Sequence, residues 1–551
     1  MSSREANFVR HSAPLLVYVR RRDPSKTDKS YVVYLGAHSH GPEVSSVDLN
    51  RVTQHHHEFL GSFMGRHING FAAKLDDAVA AETAKHSKVV SVFLSKENKL
   101  HTTHSWEFLG LEQNGRIPPN SIWEKARYGE DIIIGNIDTG ELGQVYLALA
   151  KGQQKEEWRT PKARVAAYKV CWTRSGGCCD SDIIAAFDMA IHDGVDVLSV
   201  SLGIQRPTFF GDGVAIGSFH AVQHGIVVVC SAGNNGLVDG AVAYGTVTNA
   251  APWQIVVGAS TMNRDFPNYV VLGNNKRFKG QSLSEKGLPS DKLFPLILAE
   301  DAFLANASTN ALALEKGILD PKKVKGKIVV WSNELGVAGG QQAALAGAVG
   351  VILINIQGFG YDRMADPHPD ITAPGENIIA AYTEAESPTN LNYDQRRIPF
   401  NSMSGTSMSC PHISGIAGLL KTLHPDWSPA AIQSAIMTTA TTLDNHKQQI
   451  LDASFTKAIP FSYGEGHAQP NLAMDPGLVY DLTVNDYLNF LCALGYNKNV
   501  ILLFSTNSTY TCPENAISLV NFNYPSIIVP KLSGSITVTR TLALRELTKL
   551  A

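Results

Sequence analysis

The sequence predicts an α/β fold, a parallel sheet with helices on both faces, preceded by a small α+β unit. Three observations predict it. Near-continuous apolar runs recur from residue 132 onward, as strands buried on both faces require. Helical segments alternate with those runs. The 551 residues, 44% hydrophobic and 18% charged, are ordinary globular material, enough for about three or four domains of roughly 100–200 residues.

Taken in chain order, residues 1–28 carry no periodic pattern and read as an unstructured leader. Tyr31–Leu35 and Val89–Phe93 read as strands, and Asp76–Ser87 as a helix with an aspartate for its N-cap. Ile132–Ile137 and Arg164–Val170 are strands, Asp182–His192 a helix, Val195–Leu202 a strand, Gly213–His224 a helix and Ile226–Cys230 a strand. A β-α-β piece spans 319–355, with strands at Gly326–Val330 and Val349–Ile354 around an Ala-rich helix. Ser407–Leu423 reads as a helix, and Ser428 with Pro429 opens another. Ile536–Thr539 is strand-like, and no internal repeat is present.

The net charge of −3 and a pI near 6.7 point to neither a nucleic-acid nor an anionic-membrane partner. No run of about 18 apolar residues exists to cross a bilayer. The N-terminus makes a poor secretory signal, because Ala13–Val19 is followed at once by Arg20–Arg22. Asn306-Ala-Ser308 and Asn507-Ser-Thr509 are glycosylation acceptors only in a secreted chain. The seven cysteines are Cys171, Cys178, Cys179, Cys230, Cys410, Cys492 and Cys512, neither a dense disulfide framework nor a metal pattern. Cys178 and Cys179 are adjacent, so at most one pairs easily with Cys171. Cys492 and Cys512 are spaced to close a loop in an oxidising compartment, and buried free thiols fit that spacing equally.

Three short stretches carry chemistry. In Ile137-Asp138-Thr139-Gly140 an apolar strand ends in an acid, and ligands bind at the carboxyl ends of strands in open parallel sheets. A single Asp-Thr-Gly excludes the paired-aspartate protease arrangement, which needs two copies. Ser231-Ala-Gly-Asn234-Asn-Gly236 places an asparagine amide on a turn, suited to donate to an oxyanion, and a plain glycine turn fits about as well. In Gly405-Thr-Ser407-Met-Ser-Cys-Pro-His412, Ser407 opens a helix whose positive end favours an oxyanion. An N-cap role would explain a serine but not the whole run.

Together these stretches resemble the subtilisin-like serine proteases, the subtilases, and most closely their plant branch. Gly-Thr-Ser-Met-x-x-Pro-His is the family signature, and the order Asp138, Asn234, Ser407 is the family order. The resemblance covers most of residues 30–540. It implies a subtilisin-like sheet in which Asp138 orients the base, Ser407 is the nucleophile and Asn234 the oxyanion donor. Ser201, Leu202 and Gly203 match the segment that pairs with the substrate backbone and walls its side-chain pocket. It further implies an inhibitory propeptide at 30–101, catalytic segments at 102–300 and 363–490, a protease-associated domain remnant at 301–362 and a truncated fibronectin type III-like tail at 491–551. The partners implied are a protein or peptide substrate and the chain's own propeptide as intramolecular inhibitor. The resemblance implies no metal or other cofactor, and a secreted, cell-wall location.

The departures are as informative. The family carries its base in a Gly-His-Gly-Thr/Ser-His loop between the aspartate and the next strand, yet no histidine occurs from Asp138 to Pro161. His192, His220 and His224 fall on helices and read as surface or packing residues. His412 occupies the family's structural position, and His55–His57 reads as a solvated run. Gly65-Arg66 runs straight to His67, with no room for the propeptide's usual middle strand. The protease-associated remnant stops near Asn355, and the junctions Gln144–Thr160 and Leu542–Ala551 do not resemble the family. A sheet cut between neighbouring strands exposes edges and predicts a destabilised protein. Two readings follow. One is a serine endopeptidase impaired by its missing base, its propeptide left uncut near His101-Thr102. The other is a pseudo-protease that binds peptides or inhibits relatives.

Overall fold

The computed structural model divides into two units, residues 1–99 and 100–551. In the first it describes residues 29–36, 59–64, 69–75, 80–81, 83–85, 89 and 91–94. In the second it describes 105–544, apart from 139–161, 173–176, 204–207, 239–240, 243–244, 284–286, 290–291, 305–316, 333–335, 355–368, 383–386, 390–393, 454, 505–509 and 530–531. The leader, Asn306, Asn507, the histidines at 55–57, His101-Thr102, Asn355, residues 545–551 and the Gly140–Thr160 stretch lie outside the described residues.

The first unit is a four-stranded antiparallel sheet. Its strands are β1 (Lys29–Gly36), β2 (Phe59–Met64), β3 (Asn69–Leu75) and β4 (Ser91–Leu94), in the order β2-β3-β1-β4. Val33 pairs with Phe71 and with Val92. β2 ends at Met64, before the Gly65-Arg66-His67 junction at which the sequence leaves no room for a further strand.

The second unit is built on a six-stranded parallel sheet. Its strands are β5 (Ile133–Asp138), β6 (Arg164–Lys169), β7 (Val197–Val200), β8 (Val227–Ser231), β9 (Ile255–Ser260) and β10 (Ile371–Pro374), in the order β10-β9-β8-β7-β5-β6. Residues of β7 and β8 alternate between two cores. Val197, Val227 and Val229 face one layer with Ile413, Ile416 and Leu420. Leu198, Val200, Val228 and Cys230 face the other with Phe187 and Phe219. Helices α1 (Asp180–His192) and α2 (Gly213–Gln223) form that second layer. Helices α3 (Thr406–Leu423) and α4 (Pro429–Thr438) form the first. β6 is an edge strand, and Val165 on it is exposed.

The helix starts follow from their caps. Asp212 accepts from the N–H groups of Val214 and Ala215, and Ser428 accepts from that of Ala431 with Pro429 in the first turn. A smaller parallel sheet takes Leu296–Leu298, Ile328–Ser332 and Gly350–Ile354 and packs over Val324, Val329 and Trp331. Its first strand precedes the β-α-β piece that the sequence marked. Ile536–Thr539 joins no ladder, which corrects the strand expectation. Side-chain amides take the ladder's place there. Asn521 Oδ1 accepts from the Thr539 N–H, and Asn523 bonds both backbone groups of Thr541. The tail's strand is Leu542–Leu544, antiparallel to Leu478–Tyr480.

The crossing of α1 and α2 depends on a missing side chain. A Cβ on Gly217 would lie 2.2 Å from Phe187 Cδ2. Gly217→Ala is therefore expected to destabilise the fold by about 1–3 kcal/mol through overpacking. Urea unfolding measures it, and an unchanged midpoint would contradict this account of the crossing.

Candidate active site

The residues singled out from sequence gather at the carboxyl ends of the parallel strands. Asp138 ends β5 and is 8% exposed. Ile137 pairs with Val200, and the Ser201 N–H donates to the Ile137 carbonyl, so Asp138 and Ser201 leave the sheet side by side. Asn234 lies three residues beyond β8. Ser407 is the second residue of α3, which runs back across the sheet from this edge.

The first turn of α3 is shaped by a proline. Pro411 has no N–H, so the Ser407 carbonyl loses its intrahelical donor. Ser201 Oγ–H donates to that carbonyl instead, at 3.2 Å. In return Ser407 Oγ–H donates to the Ser201 carbonyl at 3.3 Å. This is the hydroxyl's one hydrogen bond among the described residues, and the acceptor is a backbone oxygen rather than a base. Below it, Cys410 Sγ packs against the carbonyls of Val200 and Val229, joining α3 to the strands. Burial pushes the Cys410 thiol up to about 11, so it is inert as a nucleophile.

Asn234 is fixed by Thr406. The Thr406 N–H donates to Asn234 Oδ1 at 3.0 Å, and Thr406 Oγ1–H donates to the same oxygen at 2.9 Å. A backbone N–H can only donate, so the amide oxygen must occupy that position. The NH2 of Asn234 is left without a hydrogen bond to any described residue, on an exposed side chain. Thr406 Oγ1 also accepts the Gly233 N–H at 3.1 Å. By helix geometry the Ser407 N–H has no intrahelical acceptor either. Two donors are thus available at the start of α3. Gly375 lets the chain after β10 approach closely, for a Cβ there would lie 2.4 Å from that of Ala259. The Gly405 N–H then bonds the Gly375 carbonyl at 2.8 Å.

Among the described residues no histidine hydrogen-bonds the Ser407 hydroxyl. His192 is exposed at the end of α1, His220 stacks on Phe504, and His224 bonds the His220 carbonyl. His412 is buried in α3, with Nδ1 donating to the Met408 carbonyl. His467 bonds Ser260 Oγ at 2.9 Å. Two disulfides form, Cys171–Cys178 and Cys492–Cys512, leaving Cys179 exposed and Cys230 and Cys410 buried as free thiols.

Known families decide what this arrangement is. Residues 158–466, more than half of the chain, match the profile described as Subtilase family. The chain belongs to the subtilase family. Residues 30–101 match Peptidase inhibitor I9. The subtilase is 45% identical to Subtilisin-like protease SBT5.4 of Arabidopsis thaliana, over 93% of this chain and 85% of the relative. It is 44% identical to Subtilisin-like protease SBT5.3 of the same plant, over 94% and 87%. It is 39% identical to Subtilisin-like protease Glyma18g48580 of Glycine max, over 93% and 86%. The first alignment runs over 669 positions, whereas 93% of 551 residues is about 512, so about 157 positions have no residue of this chain opposite them. The family match begins only at residue 158, beyond Asp138.

Two contacts at this edge escaped the sequence reading. Thr406 as the anchor of Asn234 depends on a contact 172 residues distant. The Ser201–Ser407 exchange had a signal, since a proline four residues after Ser407 frees its carbonyl.

The buried histidines predict how stability responds to pH. Burial pushes His412 and His467 down to about 4 from the ordinary 6.5. Between those values the unfolded chain takes up protons that the fold refuses, so stability falls as pH drops through 6.5 to 4. Asp370 works the other way. Burial raises it to about 6 from 3.8, so acidification through that window relieves the cost of its buried charge. Two histidines against one aspartate predict a lower urea midpoint at pH 4.5 than at pH 7. Asp370→Asn, which removes the counterweight, is expected to widen the gap. A midpoint equal or higher at pH 4.5 would contradict this.

Proposed function

We propose that this subtilase binds protein or peptide substrates as a serine endopeptidase does but hydrolyses them by acyl transfer at a greatly reduced rate. In this reading Ser407 attacks the peptide carbonyl. The Asn234 NH2 and the Ser407 N–H receive the oxyanion. Ser201, Leu202 and Gly203 pair with the substrate backbone, and Asp138 stands where a histidine base would be oriented. The observation that carries the reading is the pairing of Ser407 with Ser201. It holds the nucleophile at the head of α3 with its hydroxyl hydrogen-bonded to a carbonyl, which is too weak a base to remove the proton.

A serine without a base is a weak nucleophile. Loss of one central member of such a triad costs about 10⁶ in turnover, while about 10³–10⁴ over water survives through the oxyanion hole and binding. The I9-like segment acts as an intramolecular inhibitor in this reading, and it stays attached because its removal needs self-cleavage. The two disulfides support an extracellular location, with Asn306 and Asn507 as glycosylation sites. The proposed divisions are 30–101 for the inhibitor, 102–300 and 363–490 for the catalytic fold, 301–362 for a protease-associated remnant and 491–551 for a truncated tail.

A second reading, a peptide-binding pseudo-protease, is favoured by the same bond, since the groove persists without chemistry. Hydrolysis of a fluorogenic peptide library separates the two. The impaired enzyme predicts slow turnover that Ser407→Ala abolishes, because the acyl-enzyme forms on the Ser407 oxygen. Full family-level turnover abolished by Ser407→Ala would overturn the impairment. Absence of any turnover, with peptide binding unaffected by Ser407→Ala, would establish the binder instead.

A further inference from the structure

Asn249 sits between β8 and β9, 3% exposed, at a φ of +61° that asparagine tolerates better than most residues. Its Nδ2 group donates to two backbone carbonyls, Leu202 and Ser231, each at 2.9 Å. Those carbonyls belong to different walls. Leu202 follows β7, and Ser231 ends β8, three residues before Asn234. The β7–β8 pairing runs no further than Val200 with Cys230, so beyond it one side-chain amide bridges the two chains. Thr248 reinforces the grip, its N–H and hydroxyl both donating to the Ala232 carbonyl.

Two further observations show that the bridge is specific. Carbonyls only accept, so the NH2 must face them, and Asn249 Oδ1 is left buried with no hydrogen-bond partner among the described residues. An orphaned buried acceptor needs an explanation, and the double donation supplies it. Gly203 also has no room for a side chain, since a Cβ there would lie 2.5 Å from Asn249 Nδ2. The amide fills that space.

We propose that Asn249 is a specificity-determining positioning residue. Its amide fixes the separation between the Ser201–Gly203 wall and the Ser231–Asn234 wall, and so the width of the pocket for the peptide side chain beside the scissile carbonyl. The proposal rests on the groove described under Proposed function. In such pockets one methylene alters discrimination by about 10–200-fold, so a wall free to shift loses selectivity before it loses binding.

The test uses peptidyl boronates that differ only in the side chain next to boron, small, branched or aromatic. The boronic acid condenses with the serine hydroxyl to a boronate ester, one B–OH leaving with the serine proton as water, and needs no turnover. The protein is expected to discriminate among them, and Asn249→Gly, which keeps the positive φ, is expected to shrink the best-to-worst Kd ratio at least fivefold. Asn249→Asp keeps the shape but faces both carbonyls with a carboxylate, and is expected to do the same should the glycine variant not fold. A lowered melting temperature with the ratio unchanged within twofold would show a merely structural amide and overturn the proposal. Failure of the unmutated protein to bind any boronate would instead overturn the groove itself, and the specificity role with it.

Discussion

The start of α3 is tied to the carboxyl ends of the parallel strands, and the rest of the site depends on that joint. The exchange between Ser201 and Ser407 fixes the helix against β7. The Thr406 contacts fix it against the turn after β8. Each bond alone contributes about 1 kcal/mol net. Their value lies in direction. They fix the Ser407 hydroxyl and the Asn234 amide on one edge, where strand ends leave backbone groups free to meet a peptide. Pro411 costs the helix a hydrogen bond, and the joint is where the freed carbonyl is reused.

The same joint explains how a site can keep its shape without its chemistry. Nothing in the Ser201–Ser407 exchange or in the Thr406–Asn234 anchor requires a histidine. The two donors proposed to receive an oxyanion are set by helix geometry and by one threonine. The base belongs to a loop after Asp138, and the sequence from Asp138 to Pro161 contains none. In the proposed reading, binding and oxyanion stabilisation are therefore separable from proton transfer. About 157 positions of the alignment with a 45% identical relative have no residue of this chain opposite them, and the described residues still form a six-stranded parallel sheet.

Much of this architecture was legible in the sequence for physical reasons. Val227–Ser231 and Val197–Val200 are buried on both faces, so their apolar runs are unbroken and easily read. Ser428-Pro429 marks a helix start because its cap chemistry is local. Less was legible where partners are distant. Phe59–Met64 forms a strand that the sequence did not mark, because pairing with Asn69–Leu75 and not propensity decides it. Ile536–Thr539 has strand character but no free strand edge, and Asn521 and Asn523 take up the adjoining backbone. Asp138, Asn234 and Ser407 were readable from motifs. The residue that anchors Asn234, Thr406, and the amide that bridges the groove, Asn249, were not, since their work lies in contacts across the chain.

The central claim is that every part of the catalytic arrangement is in place except the base. Chemical rescue tests it most directly. Imidazole added to the protein should accelerate hydrolysis of a fluorogenic peptide in proportion to its neutral form, and Ser407→Ala should abolish the acceleration. Brisk turnover without imidazole, or acceleration that survives Ser407→Ala, would contradict the account.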